Sequence, residues 1–131
     1  MTTLAAVLDG AVESGIHQLD DLDDAATIAA RVESIGWRCF VVDGTAVSDK
    51  ASFLAAVAAA GEFPEWFGHN WDALADSLSD LSWAPAAGYV WLLEHHDAYA
   101  ASAEWPLVRD LFEAAAQRWV QAGVPFVTLL R

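Results

Sequence analysis

Apolar residues recur along this chain in two rhythms: the three-to-four spacing of helices, and short continuous runs suited to buried strands. Leu4, Val7, Leu8, Ala11 and Val12 fall at helical spacing between Thr2 and Glu13, with Thr2 or Thr3 as the cap and Gly15 as the stop. Ile16 to Leu19 alternates apolar and polar residues, which predicts a short strand. The acidic cluster Asp20 to Asp24 then suits the positive end of a helix running to about Ile35 and closed by Gly36. Trp37 to Val42 is β-branched and aromatic around Cys39 and ends in the turn signal Asp43-Gly44, so it reads as a strand covered on both faces. Ser48 or Asp49 caps the next helix, whose stripe of Phe53, Leu54, Val57 and Ala58 stops at Gly61.

Pro64 breaks the chain, and beyond Gly68 the side chain of Asn70 can cap a helix reaching about Leu81. Tyr89 to Leu93 is a continuous apolar run, the mark of a buried parallel strand. A helix from near Ala103 or Pro106 through Ala122 follows, with Gly123 after its end, and Pro125 to Leu130 is the last strand. Strands alternating with helices require crossovers. The expected fold is therefore α/β, a small parallel sheet of three core strands flanked by helices. Residues 1–36 are expected as an N-terminal extension packed on a core of residues 37–131 within a single domain, with room for a further βα unit and one edge strand as an alternative to the bare three-stranded sheet.

Composition narrows the function. With 131 residues, 56% of them hydrophobic, one domain can build its core without metal or disulfide. The single cysteine, Cys39, cannot form an intramolecular disulfide and reads as a core residue within CFVV. No signal-type segment and no run of eighteen apolar residues is present, so the expectation is a cytoplasmic protein without a membrane span. The formal charge is −13, and between Ala51 and Val108 eight acidic residues stand without a single Lys or Arg. Such a field repels nucleic acid and lipid phosphates and attracts basic proteins.

The acidic and aromatic character concentrates in Phe63 to Leu81, FPEWFGHNWDALADSLSDL. At about 100° per residue, a helix over 70–81 places Leu74, Ser77, Leu78 and Leu81 on one side. Asp72, Ala75, Asp76, Ser79 and Asp80 gather on the other, with Trp71 at the margin and Trp66 and Phe67 in the preceding loop. Aspartates at i, i+4 and i+8 repel one another by a few tenths of a kcal/mol per adjacent pair. A Lys in that row would relieve the repulsion, and none is there. Two readings fit: a solvated face with the tryptophans turned inward, or a partner-binding surface with aromatic anchors, in which His69 also takes part.

PEWFGHNWDALADSL resembles the signature of the barstar family, cytoplasmic inhibitors of barnase-like ribonucleases, and every fixed position of that signature is met. The resemblance covers about Trp37 to Arg131. It implies a three-stranded parallel sheet with helices, and a second main helix and loop that enter the ribonuclease active site. It also implies that Asp76 takes the catalytic phosphate site among the enzyme's cations and that Asp72, one turn earlier, faces the enzyme. Trp66 stands in place of a contacting tyrosine and Trp71 in place of a leucine. The implied role is a non-enzymatic inhibitor or immunity protein, monomeric before complex formation. A carboxylate can replace a phosphate oxygen pair against a guanidinium fork, so no cofactor is needed. Three positions depart from the best-known pattern: Ala75 and Leu81 replace interface tryptophans, and Arg118 replaces a contacting glutamate.

Two other classes are consistent with parts of the chain. The altered residues suit an interaction module for a different basic protein, such as another nuclease toxin or a regulator. Glu94, His95, His96 and Asp97 follow a predicted strand, where α/β proteins often bind ligands, and would be the centre of a small metal-binding enzyme. Adjacent histidines point apart, however, unlike the i, i+4 pair of a helical zinc motif, so an exposed loop cluster is the expectation there. Trp83, Trp91, Trp105 and Trp119 are expected in the core or against helices, and His17 on the surface of a strand.

Overall fold

The computed structural model describes residues 1–131 as a four-stranded, wholly parallel sheet with helices on both faces. In chain order the elements are α1 (Leu4–Leu8), β1 (Gly15–Gln18), α2 (Ala25–Glu33), β2 (Arg38–Asp43), α3 (Lys50–Ala60), α4 (Trp71–Asp80), β3 (Tyr89–Glu94), α5 (Asp97–Ala100), α6 (Trp105–Gln121) and β4 (Phe126–Leu130). A single 3-10 turn, Gly44–Ala46, follows β2, with the Asp43 carboxylate accepting from the Thr45 amide. The strands lie in the order β1-β4-β3-β2. The three strands expected from the apolar runs form one continuous block, and β1 is the added edge, paired Gly15 to Val127 through Gln18 to Leu130.

Strand alternation divides the core. Phe40, Val42, Tyr89, Trp91, Leu93, Phe126 and Leu130 point to one face, where Leu54 and Val57 of α3, Leu74 and Leu78 of α4, and Phe112 and Ala116 of α6 close over them. Val90, Leu92, Val127 and Leu129 point the other way and are covered by Leu4, Val7, Ile28 and Val32, all from the first 32 residues. β3 and β4 are thus buried on both faces, as the continuous apolar run Tyr89 to Leu93 requires of β3; β4 is buried along its whole length although it carries the polar Thr128.

Several boundaries differ from the sequence expectation. α1 ends at Leu8 rather than near Glu13, because Gly10 takes φ +76 and turns the chain out of the helix. Gly15, expected as a helix stop, instead opens β1. β2 lies at the sheet edge, so Cys39 and Val41 are only half-buried against the smaller cluster. Cys39 is a margin residue rather than a core one, although burial still pushes its thiol up to about 12. The caps of the middle helices follow expectation: Asp49 forms a capping box with Ser52, and Asn70 caps α4. α3 ends at Gly61, where a Cβ would lie 2.5 Å from the Phe63 ring and 2.7 Å from that of Trp91, so the chain crosses the core there only as glycine.

Candidate functional site

The acidic row is displayed by a helix fixed on its inner side. Leu74 and Leu78 are fully buried, and the Trp119 indole of α6 donates to the Leu78 carbonyl at 2.8 Å. At the start of α4 the Asn70 side chain accepts from the Ala73 amide at 2.8 Å, and at its end Leu81 adopts the left-handed conformation. The opposite side of α4 is then fixed by helical phase, leaving Asp72, Asp76 and Asp80 exposed with Ala75 and Ser79 half-buried between them. None of the three carboxylates forms an ion pair within the chain. Only Asp80 has a local partner, the Ser82 hydroxyl at 3.2 Å.

The preceding loop presents one aromatic and hides another. Trp66 is 67% exposed and rests edge-on against Trp83, ring centroids 6.1 Å apart, while Trp83 is tethered through its indole N–H to the Gly61 carbonyl at 2.9 Å. Phe67 does not share that surface. It is buried in the larger cluster and meets Phe63 edge-to-face at 5.0 Å, so its place among the displayed residues is corrected: it supports the loop from beneath. His69 is exposed, takes φ +50 and lies against Phe67 at 4.8 Å. Two non-glycine residues in the left-handed region, Glu62 and His69, bracket this loop, a strain of order 1–3 kcal/mol each that the packed aromatics sustain.

Trp71 is half-buried against Phe53, and Lys50, from the first turn of α3, stands over its ring at 5.3 Å. That cation is invisible in the local acidic sequence because it arrives from 21 positions upstream. A second cation arrives from downstream. Between the outer faces of α4 and α6 runs a groove of about 420 Å³, with Ala75, Asp76, Ser79 and Asp80 on the α4 side. On the α6 side stand Leu111, Ala114 and Arg118. Spacing along α4 foretells the first wall; nothing local to it foretells the second.

The family model for barstar, described as barnase inhibitor, matches residues 37–131. The chain belongs to the barstar family. No curated protein matches it. Within this barstar fold the matched segment starts at β2 and carries α3, α4 and α6, so the acidic row, Trp66 and the groove all lie inside it. α1, β1 and α2 lie outside the match. Barstar-family proteins are inhibitors rather than enzymes.

The other cluster singled out in the sequence is used for tying the chain together. Glu94 is half-buried and forms a two-point ion pair with Arg131, whose guanidinium also donates to the carbonyls of Asp21 and Asp23 at 2.9 and 2.6 Å. The hydrogen bond with Glu94, chiefly, makes Arg131 more basic than usual. Arg31 clamps the Asp21 and Asp23 carboxylates at 3.0 and 3.1 Å, and the Asp23 amide is the main cause that lowers the pKa of Asp21. His96 is half-buried against Trp105, His95 is exposed, and Asp97 begins α5. The cluster therefore spans the end of β3, an exposed turn at His95 and the start of α5, with Glu94 its engaged carboxylate. No helix of the chain is long and apolar enough to cross a membrane.

Proposed function

We propose that this barstar-family chain is an intracellular inhibitor, or immunity protein, that blocks the active site of a basic, barnase-like ribonuclease. The observation that carries the reading is the row Asp72, Asp76 and Asp80, exposed on a rigidly held helix, next to the exposed Trp66, with no cation of the chain paired to it. A stability-driven surface would compensate those charges; a surface built for a cationic partner leaves them open.

An enzyme that cleaves RNA must hold phosphates with Arg, Lys or His. In the proposed complex Asp76 takes the phosphate position, its two oxygens meeting a guanidinium fork, and Asp72 meets a further cation one turn away. Trp66 supplies a rigid apolar face at the edge of the contact and excludes water from the charged pairs. Inhibition is occlusion of the substrate site, with no bond made or broken by the inhibitor. His69 and Trp71 border the same surface, and Ala75, Ser79 and Asp80 border it on the groove side. The chain is monomeric until it meets the enzyme.

The test is to recover the protein with whatever copurifies and to assay that material for ribonuclease activity, released when the complex is dissociated. Asp76→Ala is expected to lose inhibition by at least about thirtyfold, the lower end of the scale for removing one partner of a desolvated charge pair. Inhibition by Asp76→Ala equal to that of the parent, or a copurifying partner without nuclease activity, sinks the reading.

A further inference from the structure

The α4–α6 groove is bipolar rather than uniformly acidic. Asp76 and Asp80 stand on one side and Arg118 on the other, and the apolar part of the lining is Ala75, Leu111, Ala114 and the buried Ala115. Arg118 is exposed and, although it lines the same groove, makes no ion pair with either aspartate or with any other carboxylate of the chain. The volume of about 420 Å³ falls within the range of roughly 300–1,000 Å³ that holds a ligand or several inserted side chains.

We infer that this groove receives a segment of the partner that carries an Asp or Glu for Arg118 beside an Arg or Lys for Asp76 and Asp80, so that Arg118 selects among ribonucleases. The inference rests on the ribonuclease-inhibitor reading above and specifies which enzymes it admits. An intruding segment displaces water from the groove, and inside that dry space each charge must find its opposite. A partner that offers only cations satisfies Asp76 and Asp80 but presses like charge against Arg118. That mismatch weakens the complex by at least about tenfold. A partner carboxylate at that point converts the same guanidinium into a two-point contact. Lys50 plays no such part, since its ammonium is occupied over the Trp71 ring at 5.3 Å.

The experiment titrates the full chain and its Arg118→Gln, Arg118→Glu and Asp76→Ala variants against barnase. A panel of barnase variants is titrated in parallel, each with one residue of the active-site rim changed to Asp or Glu. RNA hydrolysis and association rate are the readouts. Arg118→Glu is expected to bind barnase at least about tenfold more tightly than the parent does, with Arg118→Gln between them. At least one acidic barnase variant is expected to bind the parent about tenfold more tightly than barnase does, and that gain disappears with Arg118→Gln, as coupled partners require. Arg118 sits in the last turn of α6, where a positive charge suits the helix dipole, so Arg118→Gln keeps the test sound if Arg118→Glu folds poorly. Arg118 variants that bind barnase no better than the parent, including the case where none binds, overturn the inference. So does a panel in which no acidic variant gains through Arg118. If that happens while Asp76→Ala abolishes inhibition of the copurifying ribonuclease, the ribonuclease reading stands and only the selectivity assignment falls. If Asp76→Ala inhibits the copurifying ribonuclease as the parent does, the reading itself falls.

Discussion

Replacing Asp76 by Ala should make the free protein more stable while destroying its proposed use. Asp76 lies one turn from Asp72 and one turn from Asp80 on the exposed side of α4, and no cation of the chain pairs with any of the three. Removing the central charge abolishes two like-charge i, i+4 contacts, each worth about 0.2–0.5 kcal/mol. Ala is also a better helix former than Asp by up to about 0.7 kcal/mol in a helix interior. The combined gain is about 1–1.5 kcal/mol. With an unfolding entropy of about 2.1 cal/mol/K per residue over the 131-residue chain, this corresponds to a Tm rise of about 4–5 °C. Thermal unfolding followed by circular dichroism at low salt measures it. Repeating the scan near 1 M salt, where the Debye length falls to about 3 Å, should remove the electrostatic part and leave the propensity part. A Tm that falls would show that Asp76 has a structural role, and a gain indifferent to salt would show that the row carries no uncompensated repulsion; either result refutes the reading of a row held open for a partner.

Other consequences follow from the same structure. Deleting residues 1–36 bares Val90, Leu92, Val127 and Leu129, whose burial contributes about 6–12 kcal/mol, comparable to the whole stability of a small domain. Residues 37–131 alone should therefore aggregate or bind a hydrophobic dye, and a monomer with parent-like near-UV circular dichroism would contradict this. Asp49 has its pKa lowered by the Ser52 amide and, next, the Ser52 hydroxyl, so its contribution is complete above the unfolded value of 3.8 and is lost as pH falls through the folded one. Asp49→Asn, which still caps α3 but does not titrate, should lose less Tm than the parent below about pH 4; equal losses would remove the cap from the account. Cys39, with its thiol pushed up to about 12 by burial, should resist a thiol reagent at pH 8 and react fully only after denaturation. Rapid labelling of the native protein would refute that.

Local patterning carried most of the fold because each element's evidence was contained in its own residues. The continuous apolar run Tyr89 to Leu93 demanded burial of β3 on both faces, Asn70 and the pair Ser48-Asp49 marked helix starts, and the phase of α4 separated Leu74 and Leu78 from Asp72 and Asp76 before any packing was known. Where a backbone conformation or an edge position decided the outcome, local reading fell short. Gly10 rather than Gly15 ended α1, and Cys39 reached only the margin of the core because β2 has one strand neighbour. Phe67 and Trp66 are adjacent aromatics with opposite fates, and the choice between them belonged to Phe63 and Trp83.

By itself, then, the sequence determined an α/β sheet fold, a helix with an inner apolar side and an outer acidic one, and membership of the barstar family through its signature segment. The tertiary structure alone decided that Lys50 would lie over Trp71 and that Arg118 would face Asp76 and Asp80 across a groove. It alone also decided that the first 32 residues would cover the second face of the sheet. The reason is range. Periodicity and capping act over one or two turns, whereas charge and shape at a surface are summed over helices that meet only after the chain has crossed its own sheet.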